Sequence, residues 1–237
     1  MISVCIATYN GEKYLRKQLD SILLQLTERD EIIISDDSST DNTISIIESY
    51  SDERIRLLKN NEFKSPIFNL ENALLHAKGD YIFLSDQDDI WMVDKVKICS
   101  EKIIGYDLLV SDCVLIDEID TVIGDSFYKI NNSKSGFINN LVKNSYLGCC
   151  MVFNRRILDY VLPFPKGIAM HDIWIGLNTE IVGKSRFIHD KLIMYRRHGE
   201  NASSASGKSS FTMYFKLLYR IKFVFYIAGR IINRAKV

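Results

Sequence analysis

The sequence predicts an α/β fold: a mostly parallel sheet flanked by helices, with a basic amphipathic helical tail at its C-terminal end. Three observations predict it. Short apolar runs alternate with helical patterns over the first 110 residues, the order of βαβ units. Three of those runs end in polar segments, "TYN" (Thr8–Asn10), "SDD" (Ser35–Asp37) and "SDQDD" (Ser85–Asp89), which parallel strands would bring to one rim. From Asn201 onward there are seven Lys/Arg and no Asp/Glu among aromatic and aliphatic residues.

Each element follows from its own pattern. "ISVCIAT" (Ile2–Thr8) is a short β-rich run, and Leu15, Leu19, Ile22, Leu23 and Leu26 then share one helical face. "EIIIS" (Glu31–Ser35) is a second strand. The Ser, Thr and Asp of "DDSSTDNT" suit the N-cap of a helix over "ISIIESY". "RIRLLK" (Arg54–Lys59) is a third strand. Leu70, Ala73, Leu74 and Ala77 form a helical stripe stopped by Gly79, and "YIFLS" is a fourth strand. A helix is expected to start near Trp91, with Asp89 as its cap. Further on, "DLLVSD" (Asp107–Asp112) and "CCMVF" (Cys149–Phe153) read as strands, separated by the polar loop "YKINNSKSG". From about Met170 to Val182 a helix carries Met170, Ile173, Trp174, Leu177 and Ile181 on its apolar side. Asp172 falls about 200° from Met170, away from that stripe and in the first turn, where a carboxylate suits the helix dipole.

Composition narrows the function. The 237 residues are 47% hydrophobic and 25% charged, enough for one buried core. Formal net charge is zero, but residues 1–200 carry 23 basic against 30 acidic groups, a net of −7. An acidic body does not suit nucleic acid, whose binders carry a basic face. The five cysteines, Cys5, Cys99, Cys113, Cys149 and Cys150, have neither zinc-ligand nor redox spacing and read as buried thiols of a reducing compartment. No secretory leader is read at the N-terminus. There is no G-x-x-x-x-G-K-[ST] and no G-x-G-x-x-G, which argues against P-loop and dinucleotide chemistry.

Asp86, Asp88 and Asp89 crowd into four positions at a strand end. A divalent cation such as magnesium or manganese would repay their repulsion, since hard ions take carboxylate oxygens and complete the shell with phosphate and water. A solvated acidic turn capping the following helix is the alternative.

At this point the chain resembles family 2 glycosyltransferases of the GT-A fold. The resemblance rests on "SVCIATYNGEKYL", "SDDSSTDNT", "GDYIFLSDQDDIW", "HDIW" and "YRRHGENAS", in that order over residues 2 to about 204. "SDQDDIW" with "HDIW" is most similar to the bacterial rhamnosyl- and hexosyltransferase branch of surface-polysaccharide assembly. The resemblance implies a GT-A glycosyltransferase domain over residues 1–205, with a nucleotide-sugar half (1–110) and an acceptor half (111–205), followed by the tail (206–237). It implies that Thr8, Tyr9 and Asp37 line the base pocket, Asp37 accepting from the N–H of uracil or thymine. Asn10, Glu12, Gln87 and Asp86 join the nucleotide-sugar site. Asn69 either touches the donor or caps its helix. Asp88 binds the metal that bridges the diphosphate, and His198 is either a further ligand or an ordinary loop histidine. Arg196 and Arg197 reach phosphate oxygens, and Asp172 is the base of a single inverting displacement.

The implied activity is metal-dependent transfer of a hexose or deoxyhexose from a UDP- or dTDP-sugar to a hydroxyl of a saccharide acceptor linked to polyprenyl diphosphate. A nucleotidyltransferase would want a Gly-rich basic loop where "TYNGEKYL" has one Gly and one Lys. A non-catalytic nucleotide-sugar-binding or scaffold protein is the other reading, and Asp88 with Asp172 argues against it. The tail is expected to lie on the inner face of the cell membrane, with Lys216, Arg220, Arg230 and Arg234 clustered in one arc near anionic headgroups. Phe223 and Ile227 share that arc, so a helix in a homodimer and a break near Gly229 stay open.

Overall fold

The computed structural model describes residues 1–199 and 213–234. Its first half is built from β1 (Ile2–Thr8), β2 (Glu31–Asp36), β3 (Ile55–Leu58) and β4 (Tyr81–Ser85), joined by helices α1 (Leu15–Leu23), α2 (Thr43–Glu48) and α3 (Pro66–His76). The four strands are parallel, in the order β3-β2-β1-β4. Val4, Cys5, Ile6, Ile32, Ile33, Ile34, Ile82 and Phe83 are all buried, which is why these strands read as continuous apolar runs rather than alternating ones. Leu15, Leu19 and Ile22 bury one face of α1. Register sets Thr8 beside Asp36 and Ile6 beside Ser85, so the three polar segments share one rim.

The sheet then turns mixed. After β5 (Ile90–Trp91) and α4 (Lys95–Lys102) come β6 (Leu108–Ile116), β7 (Val122–Gly124), α5 (Phe127–Asn131) and α6 (Phe137–Val142). A 3-10 turn over Gly148–Cys150 leads into β8 (Met151–Asn154), a second such turn (Arg155–Ile157) into α7 (Leu158–Val161), and α8 (His171–Val182), β9 (Ser185–Arg196) and α9 (Met213–Arg234) follow. The path continues from β4 through β8, β6 and β9 to β5, with β7 on β6. β8 runs antiparallel to both β4 and β6, while β9 runs parallel to β6.

Several expectations are corrected. Ile90 and Trp91 pair with Met194 and Ile193 instead of starting a helix, and α4 begins after Asp94. Asp89 therefore caps nothing; its Oδ1 accepts the Arg196 backbone N–H at 2.9 Å. Cys149 and Cys150 sit in the 3-10 turn, not a strand. Part of "YKINNSKSG" is helical, as α5. β9 has no clean alternation to announce it: its pairing with β6 shifts register at Asp112, so buried and exposed positions do not alternate along it.

α8 is the largest departure. Every residue from Asp172 to Thr179 is buried, so the helix has no polar side, and Ile181, placed on the buried stripe by the wheel, is exposed. The reason is α9. Phe223 stacks on Trp174 with ring centroids 6.0 Å apart, Tyr226 meets the same indole edge-on, and Phe223 and Ile227 are fully covered. Arg230 donates to the carbonyls of Tyr160, Leu162 and Pro163, and Arg220 to that of Val142. Of the cations expected to face headgroups, Arg220 and Arg230 instead face the protein. Gly229 lies inside one continuous helix. The side chains of Lys216 and Arg234 lie outside the described residues, as do Asn201–Ser203 of the last motif and the 205/206 boundary.

Candidate active site

The base-pocket end of the rim is assembled from β1, β2 and the turns after them. Asp36, fully buried, accepts from Thr8 Oγ1 at 2.8 Å and from the Ser39 N–H and hydroxyl, so it holds the two strand ends together. Asp37 is half-buried, and its two oxygens accept the Phe63 and Ser65 N–H groups at 2.6 and 3.2 Å. Tyr9 is exposed, and its backbone is held by Gln87: Tyr9 N–H donates to Gln87 Oε1 at 2.9 Å, and Gln87 Nε2 donates to Tyr9 O at 3.1 Å. A Cβ on Gly11 would lie 2.5 Å from Gln87 Oε1, so any side chain there would displace Gln87 from this pair.

Asn10 and Glu12 brace the rim internally. Asn10 Oδ1 accepts the Thr40 N–H, and Glu12 accepts both N–H groups of Asn42, backbone and side chain. Asn69 lies inside α3, whose cap is Ser65, so it caps nothing. Its Nδ2 donates to Thr8 O at 3.0 Å, and its buried Oδ1 has no hydrogen-bond partner among the described residues.

The acid-rich end follows β4. Gln18, buried on α1, donates to Ser85 Oγ and to Asp86 O, which sets where the loop leaves the strand. Asp88 Oδ2 and His198 Nε2 are 2.7 Å apart. The Tyr14 ring lies 5.4 Å from that of His198. Burial, then the charges of Asp88 and Asp172, push Asp86 up to about 7. Burial, then the charges of Asp88 and Asp86, raise Asp89 well above the usual range.

Lys95 offsets part of this. Its side chain is fully buried, its ammonium lies 4.4 Å from the Trp91 ring centroid, and it donates to Cys149 O at 2.8 Å. Ligand-capable atoms of Asp86, Asp89 and Cys149 lie within 4.8 Å of one another. Burial raises the Cys149 thiol well above its ordinary range, so it offers no thiolate. Asp88 offers a carboxylate oxygen, the donor that suits magnesium or manganese, and His198 beside it offers an imidazole nitrogen, a donor more usual for later transition metals. Carboxylates that strain one another's ionisation fit a cation placed among them.

Arg196 departs from its expected role. Its side chain is fully buried. Nε donates to Asp88 O at 2.7 Å, an Nη to Asp117 O at 2.8 Å, and the other Nη meets Asp120 Oδ1 at 2.6 Å, with the guanidinium 4.4 Å from the Tyr14 ring centroid. It clamps the acidic loop to the β6–β7 turn instead of reaching toward phosphate. Arg197, half-buried, follows it and precedes His198.

Asp172 opens α8 at 6% exposure. Burial lifts it to about 6, against the pull of the Ile173 N–H on its Oδ1 at 2.6 Å and of the Asn144 side chain. It lies near enough to Asp86 for its charge to raise that group. The 3-10 turn joins the two: Cys149 lies beside Asp86 and Asp89, while a Cβ on Gly148 would sit 3.0 Å from His171 Nε2 and 4.0 Å from Asp172 Cβ. His171 is pushed down to about 4 by burial and is neutral near pH 7. Sequence reasoning missed Gln18, Lys95 and Asn144. The polar residues Gln18 and Lys95 on apolar helical faces were the available signal.

This fold is one found in solved glycosyltransferases. The S. aureus TarS structure with UDP-GlcNAc matches with a TM-score of 0.70, covering 94% of this chain and 71% of that one at 17% identity. The Pyrobaculum calidifontis mannosyltransferase PcManGT with GDP-Man and Mn2+ matches at 0.63, covering 84% and 58% at 21% identity. The chain belongs to glycosyl transferase family 2, whose family model matches residues 3–162. The dTDP-rhamnosyl transferase RfbG of Shigella flexneri is 41% identical over 225 residues, 85% of this chain and 74% of that protein. The Escherichia coli UDP-Glc:alpha-D-GlcNAc-diphosphoundecaprenol beta-1,3-glucosyltransferase WfgD is 30% identical over 173 residues, 70% of this chain. The match takes in 64% of that protein, so this chain spans less than two thirds of it.

Proposed function

We propose that this chain is an inverting, divalent-metal-dependent glycosyltransferase. It takes a hexose or deoxyhexose from a UDP- or dTDP-sugar and transfers it to a hydroxyl of a saccharide carried on polyprenyl diphosphate. The observation that carries this reading is the convergence of Asp86, Asp88 and His198 with Asp172 around one 3-10 turn. Family membership supports the reaction class, and the names of the two relatives support the donor and acceptor classes.

Asp172 takes the proton of the acceptor hydroxyl. The acceptor oxygen bonds to the anomeric carbon as the bond from that carbon to the nucleoside diphosphate breaks on the opposite face, which inverts the centre. Burial favours this role, because a carboxylate lifted to about 6 is ionised near neutrality yet more basic than one in water. Asp88 and His198 would hold a magnesium or manganese ion, which supplies positive charge to the leaving diphosphate when bound. Arg197 is retained for the phosphates and Arg196 is not, since its donors serve the clamp described above. Asp37 keeps a lone pair on each oxygen beyond the two N–H groups it accepts, enough to take a pyrimidine N–H. Asn69 Oδ1 and the exposed Tyr9 ring border the same pocket end.

Thermal-shift measurements against UDP, dTDP and GDP sugars, each with and without manganese, test the reading. Stabilisation by a uridine or thymidine nucleotide that grows with manganese is expected. A response to GDP sugars alone would overturn the pyrimidine assignment, and silence toward all three would overturn the proposal.

A further inference from the structure

The outward side of α9 is apolar, although its inward side already holds the core contacts. At 100° per residue, Tyr219, Phe223, Tyr226, Ile227 and Arg230 fall in one arc and face the body. Leu218, Ile221, Val224 and Phe225 fall in the opposite arc, and all are exposed, Phe225 at 72%. This apolar arc does not end at the helix edge. Arg220 ties α9 to the end of α6, where Val142 and Ile138 are 66% and 68% exposed. Leu141, Val142, Ile221, Val224 and Phe225 line one groove between the two helices, with the Arg220 side chain crossing it. A contiguous apolar surface built by two helices marks an interaction site.

Charge identifies the occupant. The stretch that contains α6, residues 126–158, has five Lys/Arg and no Asp/Glu, and residues 201–237 have seven and none. Together they hold 12 of the chain's 30 basic residues and none of its 30 acidic ones. Lys134 and Lys143 flank α6, and Lys222 stands beside the outward arc of α9, between it and the inward one; all three are exposed. A chain of zero formal net charge thus carries no Asp or Glu in either of the two stretches that contain α6 and α9. A second copy would bring the same cations against each other. An anionic bilayer surface presents apolar depth and negative charge together.

We propose that α6 and α9 form a two-helix platform that seats this chain on the surface of an anionic phospholipid bilayer. Phe225, Ile221 and Val142 enter the headgroup boundary to a depth of about 5–10 Å, and Lys134, Lys143 and Lys222 face the lipid phosphates. No helix among the described residues is long and apolar enough to cross the membrane, so the contact lies in the plane of the surface. The inward face of the same helix stacks on Trp174, two residues from Asp172, so the platform is rigidly tied to α8. The inference does not depend on which sugar or nucleotide the site takes.

Co-sedimentation of the full chain with vesicles tests it. Binding is expected to phosphatidylcholine vesicles containing phosphatidylglycerol and cardiolipin, to weaken as salt rises, and to be nearly lost on phosphatidylcholine alone. Phe225→Ser and Val142→Ser, one change on each helix, should each lower partitioning by at least about tenfold, the effect of withdrawing one large apolar side chain from the interface. Leu24→Ser, at an equally bare site (87% exposed) just past the end of α1, should leave it unchanged. Retained melting temperature and nucleotide response in the variants separate loss of lipid binding from loss of folding. Equal binding to neutral and anionic vesicles, or unaltered binding by both platform variants, would overturn the proposal. So would a lipid-free dimer in sedimentation velocity that Phe225→Ser dissociates, which would make the face a contact between copies.

Discussion

Two side chains carry most of the proposed chemistry, and each makes a separable demand. Replacing Asp172 with Asn keeps the shape and removes the proton acceptor. Sugar transfer should fall by about 10²–10⁴-fold while nucleotide-induced stabilisation persists. Because burial lifts Asp172 to about 6, the wild-type rate should climb as pH rises through 6 and then level, with unit slope on the acid limb. The same shift has a stability sign. The folded state holds this proton more tightly than the unfolded chain does, so the ionised form costs stability above pH 6, and the cost fades as pH falls toward 4. Asp172→Asn should therefore raise stability at pH 7.5 by on the order of 2 kcal/mol, with the gain shrinking at pH 5. Chemical denaturation at the two pH values would show it. His198 makes a different demand. If it shares a cation with Asp88, His198→Ala should move the manganese activation midpoint upward by at least about tenfold, with little change in folding. A superimposable manganese titration would remove histidine from the site.

Short elements decide how those side chains meet. The turn over Gly148–Cys150 separates the acidic loop from the start of α8, and a Cβ on its first residue would press on the His171 ring at 3.0 Å. Gly148→Ala should push His171 and the first turn of α8 away, costing about 1–3 kcal/mol as overpacking does and lowering kcat more than it raises KM for the donor. Equal effects on both would mean that the turn supports the fold without aligning Asp172. β9 has a comparable role. It carries Arg196 into the interior, where one guanidinium joins Asp88 O, Asp117 O and Asp120. Arg196→Met leaves those acceptors without their donor and should destabilise by about 3 kcal/mol. Arg197→Ala should leave stability near wild type and weaken donor binding. The pair of melting temperatures and donor KM values distinguishes a clamp from a phosphate ligand at neighbouring positions.

Over the whole molecule, α9 is part of the body. It covers Trp174, and Phe223 and Ile227 are as buried as strand residues. Ending the chain at Lys208 would uncover that surface, and at about 1.5–3 kcal/mol per large apolar side chain the truncated protein should lose roughly 5 kcal/mol. A lowered urea midpoint and aggregation are expected. A truncated chain with unchanged urea unfolding would show that α9 is dispensable for folding. Truncation is therefore a poor probe of what the outer face of α9 does, and single substitutions on that face are the better one.

Much of this was legible in the residues alone. The parallel half was, because buried parallel strands are short apolar runs and the helices between them have one clear face. The rim was legible for the same reason: three polar segments ending three such runs must share an edge once the strands are parallel. Local pattern could not say which of Asp36 and Asp37 is sunk between strands and which is left accepting N–H groups at the surface, since they are neighbours of one type. It could not separate Arg196 from Arg197, nor show that α8 is buried all round, because the covering helix comes some forty residues later. Nor could it turn α9 the right way. Its cations and its buried aromatics share one arc, and only the carbonyls of residues 142, 160, 162 and 163, which accept from Arg220 and Arg230, make that arc the inner one. Sequence by itself determined the four parallel strands of the first half and the chemistry at their rim, because both follow from periodicity and charge along the chain. Tertiary structure decided which member of each like pair is buried and which face of each helix is covered, because burial depends on what packs from elsewhere in the chain.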